Sequence, residues 1–387
     1  MADATEVLDA DRLLAEAADA TGLDDFGDPA FREGLDLLSL SLREEAQLSD
    51  LGVTALQAQI HGQLVNRLRV VDWIGAHPAV LEAPQARPLV IIGLPRTGTT
   101  LLSYLFDQDP ANRSLLRWEF NQCIPPPEAD ALHSDPRLTE ATLGLEMLDA
   151  INPEFKAIHY EAPDGPTEDV AVLAQDFRSW MWECVANVPS YGQWLHGCDI
   201  SSAYRWLHTV TAVLQSRAPG RWSLKTPQHC LHLDELFATW PDACVVMTHR
   251  DPVKAVPSLV SLIRSLSGTF SDADHGAYIA HHWTANTALA VERVMTWRDE
   301  HGGARIVDLP YAELVADPVA AVRRVYAHFG DDLSTEAETA MRAYAAANPK
   351  DRFGAHRYTL DELGLDAGAL REHFARYVER YDVPLEA

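Results

Sequence analysis

Basic residues are scarce in this chain: 31 lysines and arginines stand against 57 aspartates and glutamates, a formal net charge of -26 at pH 7. That surplus of acid repels polyanions at long range and argues against nucleic acid or a heavily sulfated polysaccharide as a partner. An anionic ligand has to be held by local basic residues, and the remaining acid reads as solvated surface. The five cysteines, Cys123, Cys184, Cys198, Cys230 and Cys244, are odd in number and show no C-x-x-C spacing, so reduced thiols are expected rather than a disulfide framework. No apolar run reaches membrane-spanning length. The acidic start MADATEVLDADRL lacks the basic flank and apolar block of a secretory signal, which points to a cytoplasmic protein. Metal-ligand clusters, internal repeats and low-complexity segments are also missing. What is present is globular material, 387 residues with 47% hydrophobic and 23% charged, enough for two domains or one with an appendage.

The chain is organised around residues 88–102, PLVIIGLPRTGTTLL. Leu89, Val90, Ile91 and Ile92 form a short run rich in β-branched residues, which predicts a strand buried on both faces of a parallel sheet. Gly93 and Gly98 then enclose four residues before Thr99, Thr100 and an apolar helical run. Such a loop aims successive backbone N–H groups and a helix N-terminus at one anion. It nearly fits the G-x-x-x-x-G-K-[ST] loop of nucleoside-triphosphate enzymes, but Thr99 stands where lysine belongs. Without that lysine a cleavable γ-phosphate loses its main cation, which disfavours a kinase or ATPase. Arg96 places the charge inside the loop instead.

Residues 1–86 are predicted to be amphipathic helices packed on the core, with Phe31, Leu35, Leu38 and Leu42 on one face and Leu56, Ile60, Leu64, Leu68 and Val71 on another. Thr54 and Gln57 are spaced as a capping box. These helices cover the core, line an acceptor cleft or form a dimer contact, so a homo-oligomer is open. Residues 87–387 form the second unit, an α/β domain with a phosphate-loop type of parallel sheet flanked by helices. Its further strands are expected at 222–224, 243–247 and 305–309, with a turn at Asn112 and mainly helical segments at 136–150 and 167–217. Trp180, Trp182, Trp194 and Trp206 wall an apolar acceptor pocket or fill a helical core.

Three further stretches carry chemistry, two of them at strand ends, where ligands of parallel sheets bind, and the third a basic loop before the last helix. In residues 247–262, MTHRDPVKAVPSLVSL, Asp251 can cap a helix that begins at Pro252, and Ser258 lies eight residues after Arg250. A guanidinium fork and a hydroxyl suit a phosphate that is recognised and never transferred. His249-Arg250-Asp251 also spells the start of a kinase catalytic loop, but no other kinase signature accompanies it. In residues 222–233, WSLKTPQHCLHL, Lys225 could neutralise charge that develops during reaction, and His229 is a candidate base. In residues 348–365, NPKDRFGAHRYTLDELGL, Lys350, Arg352, His356 and Arg357 cluster around Gly354.

These motifs run collinearly over about residues 88–365 and resemble the sulfotransferases that use 3′-phosphoadenosine-5′-phosphosulfate (PAPS), the bacterial sulfotransferase-like branch in particular. The resemblance implies that Arg96, Thr97, Gly98, Thr99 and Thr100 bind the 5′-phosphosulfate, and that Arg250 and Ser258 bind the 3′-phosphate. Arg352, Gly354 and Arg357 would close over the adenosine 3′-phosphate. Catalysis falls to Arg96, Lys225 and a base. Glu119 in LRWEF is the first choice, because carbohydrate and tyrosyl-protein sulfotransferases place a glutamate after the first crossover. His229 is the second, displaced by Thr226-Pro227-Gln228 from the pattern of the cytosolic type. The implied reaction is in-line transfer of a sulfuryl group to a hydroxyl or amine of a small-molecule, glycan or lipid acceptor. It needs no metal, since the sulfuryl group carries less negative charge than a phosphoryl group. Residues 159–169, HYEAPDGPTED, form a polar loop whose carboxylates orient an acceptor hydroxyl or are simply solvated. The competing readings are a degenerate kinase and a nucleotide-binding protein without turnover.

Overall fold

The computed structural model describes residues 4–349 and 357–386. Five parallel strands, β1 (Leu89–Gly93), β2 (Asn112–Ser114), β3 (Arg221–Lys225), β4 (Cys244–His249) and β5 (Ile306–Pro310), form one sheet in the order β2-β3-β1-β4-β5. The most apolar run takes the centre, and all five residues of β1 are buried. Side chains alternate across the sheet: Val90, Ile92, Val245 and Met247 face one apolar layer, whereas Leu89, Ile91, Val246 and Leu309 face the other. A sheet apolar on both faces requires helices on both.

The longer helices are α1 (Ala10–Thr21), α2 (Phe31–Glu44), α3 (Asp50–Ala76), α4 (Thr99–Asp107), α5 (Leu138–Ile151), α6 (Ser201–Gln215), α7 (Pro252–Ser267), α8 (Gly276–His301), α9 (Pro318–Phe329) and α10 (Thr335–Ala347). Leu102 and Phe106 of α4, Val322 of α9 and Met341 of α10 cover one face of the sheet. On the other, α1 to α3 merge with α6 to α8 in a single core. Leu56, Ile60, Leu64 and Leu68 of α3 are fully buried, each contributing about 1.5–3 kcal/mol of burial. Arg67 of α3 is buried beside them. It pairs with Asp176 at 3.2 Å, donates to the carbonyls of Phe26, Asp28 and Gln175, and lies against the rings of Phe31 and Trp206. The ion pair is thus fully hydrogen-bonded, which a buried charge requires.

Local expectations fail where tertiary contacts decide. The cap of α3 is Ser49, whose Oγ accepts the Gly52 N–H at 3.1 Å, and Thr54 instead donates within the helix to the Asp50 carbonyl. Asn112 opens the edge strand β2 rather than a turn. Segment 167–217 is mainly helical as expected, but the left-handed Phe177, at φ 54°, divides it, so that the short helices Val170–Leu173, Trp180–Val185 and Pro189–Leu195 precede the long α6. Trp180, Trp182 and Trp206 are 6% exposed or less and fill the core; Trp194 packs against it. Among the described residues no helix is long and apolar enough to cross a membrane.

Candidate active site

Parallel strands all deliver their carboxyl ends to one side, and there Gly93, Lys225 and His249 terminate β1, β3 and β4. At Gly93, φ is 131° and a Cβ atom would lie 2.5 Å from the Thr248 carbonyl oxygen, so only glycine lets β1 turn against β4. Its N–H donates to Cys230 Sγ, and burial pushes that thiol up to about 12. Gly98, also left-handed at φ 91°, precedes α4 and offers no side-chain cap. The first N–H groups of α4 therefore lack acceptors within the helix and face the loop's concavity. Thr97 braces that loop from inside, its buried hydroxyl donating to the Leu94 carbonyl and sharing a 2.6 Å hydrogen bond with Thr248 Oγ1. Thr99 is buried and Thr100 half-buried at the helix start.

The two most specific sequence motifs meet here. Arg96 Nε donates to Ser258 Oγ at 3.1 Å, and Arg250 Nη1 donates to the Arg96 carbonyl at 3.0 Å. Arg96 is itself left-handed at φ 68°, a conformation costly for a residue with a Cβ and held by those contacts. Burial lowers its guanidinium from the usual arginine range, and the neighbouring Arg250 charge adds to the effect. Asp251 caps α7 by accepting the Val253 N–H at 2.9 Å. Arg250 lies over the Tyr311 ring at 4.2 Å, and both carboxylate oxygens of Glu386 accept from it, at 2.8 and 3.0 Å. The Glu386 N–H in turn donates to Asp251 Oδ2.

Lys225 is 1% exposed. It donates to Glu168 Oε1 at 3.0 Å and lies 3.9 Å from Glu161. Burial alone would lower this ammonium; the charges of Glu168 and Glu161 prevail and raise it. Glu161 Oε2 accepts from Arg117 and Thr167, each at 2.9 Å, and Oε1 lies 3.4 Å from His159. Burial would raise its carboxyl, but the His159 hydrogen bond and the charges of His159, Lys225 and Arg117 hold it well below the usual range. The loop that carries both glutamates is docked by backbone bonds, from Thr167 N to Leu115 O, Arg117 N to Gly165 O and Asp169 N to Lys225 O.

Both base candidates of the sequence are buried and occupied. Glu119 is bound by both Arg113 Nη atoms and also accepts the Leu116 N–H, tying β2 to the helix Arg117–Asn121. His229 uses both ring nitrogens, Nε2 on Asp169 at 3.0 Å and Nδ1 on the Tyr204 hydroxyl at 2.7 Å. Asp169 is the residue whose N–H meets Lys225, so His229 steadies the glutamate loop. Arg352 and Gly354 lie outside the described residues and Arg357 is exposed. The next residue, Tyr358, is close enough for its phenol to act on both Arg96 and Arg250. Sequence reasoning named the 159–169 loop without choosing Glu161 or Glu168, and it missed Arg117, Tyr311 and Glu386.

Beside Glu161 opens a cavity of about 210 Å³, lined by Thr142, Leu145 and Leu148 of α5 and by Phe155, Tyr160 and Arg117. A second, water-sized cavity beside Glu183 and His282 contains none of these residues. Among the described residues no group of three or more His, Cys, Asp or Glu side chains is arranged to hold a metal ion.

The sequence profile of the sulfotransferase family matches residues 88–335. The omega-hydroxy-beta-dihydromenaquinone-9 sulfotransferase Stf3 of Mycobacterium tuberculosis is 23% identical over 318 residues, 76% of this chain and 74% of that protein. The crystal structure of sulfotransferase STF9 from Mycobacterium avium superposes with a TM-score of 0.91 at 36% identity, covering 98% of both chains. Sulfotransferase STF1 from Mycobacterium tuberculosis gives 0.84 at 32% identity, covering 95% of this chain and 98% of that one. With the glycine loop, the arginine pair and the strand-end lysine assembled at one end of a five-stranded parallel sheet, the chain belongs to the sulfotransferase family and is a transferase.

Proposed function

We propose that the sulfuryl donor is PAPS, bound across the glycine loop and the Arg250–Ser258 pair. The observation that carries this is the direct Arg96–Ser258 hydrogen bond, which joins two motifs 162 residues apart into one anion site. The residues fit the donor's chemistry. An uncapped helix start, Arg96, Arg250 and the Ser258 hydroxyl suit two separated phosphate groups, and Lys225 lies at the adjacent strand end. In this reading the N–H groups of Thr97 to Thr100 and Arg96 orient the 5′-phosphosulfate, while Arg250 and Ser258 orient the 3′-phosphate. Lys225 steadies the charge that collects on the bridging oxygen as the sulfuryl group leaves. Arg352, Gly354 and Arg357 complete the nucleotide's enclosure. Glu119 and His229 act by positioning, through Arg113 and through Asp169. No metal is required.

The acceptor in this reading is a lipid-like alcohol that enters the cavity between α5 and residues 155–163. The acceptor in the name of the relative Stf3 is a hydroxylated menaquinone. Here Leu145, Leu148 and Phe155 supply apolar lining beside Arg117, Glu146, Asp149, Lys156, His159 and Glu161, and Leu143 and Met147 are exposed apolar residues of α5. Calorimetry tests the donor: adenosine 3′,5′-bisphosphate binds and ATP does not compete at equal concentration. Uptake of ATP with no response to the bisphosphate refutes it. Transfer of labelled sulfate from PAPS into the lipid-soluble part of a cell extract, rather than the aqueous part, tests the acceptor class.

A further inference from the structure

The carboxylates gathered at the end of β3 are not equivalent, and a hydrogen-bond account separates them. Glu119 is closed by Arg113 and the Leu116 N–H. Asp169 is fully buried on His229. Glu161 has Arg117 and Thr167 on one oxygen and His159 facing the other, and is 5% exposed. Glu168 differs. Among the described residues Lys225 is its one side-chain partner, and its side chain is 23% exposed. Its charge acts on the Arg96 guanidinium of the glycine loop, and it shares Lys225 with Glu161, which lines the cavity.

We propose that Glu168 is the general base, the side chain that takes the proton from the acceptor hydroxyl, and that Lys225 neutralises it until the donor is bound. The inference rests on the PAPS reading above. In the free protein the Lys225 ammonium serves Glu168. The donor's sulfuryl and bridging oxygens draw on the same ammonium, and as its charge turns to them the Glu168 carboxylate, which holds open lone pairs beside its single Lys225 contact, becomes the stronger proton acceptor. The step then balances: the acceptor O–H bond breaks with its proton to Glu168, and the acceptor oxygen forms a bond to sulfur. The bond from sulfur to the bridging oxygen breaks, with its electron pair left on the 5′-phosphate beside Lys225. Glu161, fixed by Arg117 and Thr167, positions Lys225 and takes no proton.

A base is needed only when the acceptor arrives protonated, and this gives a discriminating test. Wild type, Glu168→Gln and Glu168→Asp are compared in mildly alkaline buffer for transfer from PAPS to dodecanol and to para-nitrophenol, which is largely ionised there. Calorimetry with adenosine 3′,5′-bisphosphate and a thermal melt accompany each. The glutamine variant keeps its fold, binds the nucleotide at least as tightly as wild type, and loses about a hundredfold or more in kcat with dodecanol, against less than about tenfold with para-nitrophenol. The aspartate variant recovers part of the dodecanol rate. Near-wild-type dodecanol turnover in Glu168→Gln, or equal losses with both acceptors, overturns the assignment while leaving the donor reading intact. Failure of the wild type to bind the bisphosphate overturns the donor reading instead.

Discussion

Glu386 occupies the guanidinium fork of Arg250, which the proposed 3′-phosphate also needs, so the nucleotide has to displace it. The two-pronged contact of 2.8 and 3.0 Å is the geometry by which arginine binds carboxylate or phosphate alike. The Arg250 side chain is 18% exposed and that of Glu386 34%, so solvent screening reduces the pair to about 1 kcal/mol. Removing that competitor raises nucleotide affinity about fivefold. The measurement is calorimetric titration of adenosine 3′,5′-bisphosphate into wild type and Glu386→Gln at low salt, repeated at high salt, where screening narrows the gap. Arg250→Ala serves as the control that loses affinity outright. Equal or weaker binding by Glu386→Gln refutes the reasoning, because the carboxylate then neither blocks the fork nor needs to leave it.

Three further outcomes follow from the same geometry. Glu119→Ala strands the buried Arg113 guanidinium and costs about 3–5 kcal/mol in urea unfolding; in Glu119→Gln, turnover per folded molecule stays near wild type, and a collapse of kcat without loss of stability would restore it as a base. Gly93→Ala drives a Cβ to 2.5 Å from the Thr248 carbonyl at φ 131°, costing about 2 kcal/mol or more and weakening nucleotide binding, whereas the neighbouring Ile92→Val costs about 1 kcal/mol and leaves binding alone. The Glu161 carboxyl is held below its unfolded value of about 4.3, so its contribution to stability is complete above that pH and fades as pH falls towards the folded value. The stability difference between wild type and Glu161→Gln is therefore largest near pH 6–7 and shrinks towards about pH 3. A difference that grows on acidification reverses the sign and refutes it.

What was legible in the sequence was local. The β1 run, the two glycines and Arg96 lie within ten residues, and Arg250 with Ser258 lies on one strand-to-helix boundary, so strand-end placement together with the family resemblance predicted their convergence. The helical faces of α2 and α3 were equally readable, because burial follows the helical period. What was not legible depends on pairings between distant segments. Glu119 has the right place in the chain for a base, but the Arg113 side chain claims it, and no periodicity announces which arginine a glutamate will meet. His229 lies near Lys225 in the chain, yet its orientation is set by Tyr204 and Asp169 on two other segments. Glu168 became distinguishable from Glu161 only once Arg117 and Thr167 were seen to occupy the latter. Glu386 lies 136 residues from Arg250, and no feature of the chain's last residues pointed to it.

These pairings resolve an apparent conflict between a chain of net charge -26 and a polyanionic donor. The cations of the site are not left unsatisfied in the free protein. Arg250 is neutralised by Glu386, and Lys225 by Glu168 with Glu161 beside it. Arg96, which has no such ion pair among the described contacts, donates to the Ser258 hydroxyl, and its carbonyl accepts from Arg250. Burying several like charges together would be prohibitive without those counter-charges. If PAPS is the donor, its phosphates and sulfuryl oxygens exchange for carboxylates rather than filling a bare basic pocket. Each carboxylate released then acquires a consequence of its own: Glu386 frees the fork of Arg250, and Glu168 becomes able to accept a proton. The acid that repels polyanions at a distance therefore supplies, at close range, the counter-charges of Arg250 and Lys225.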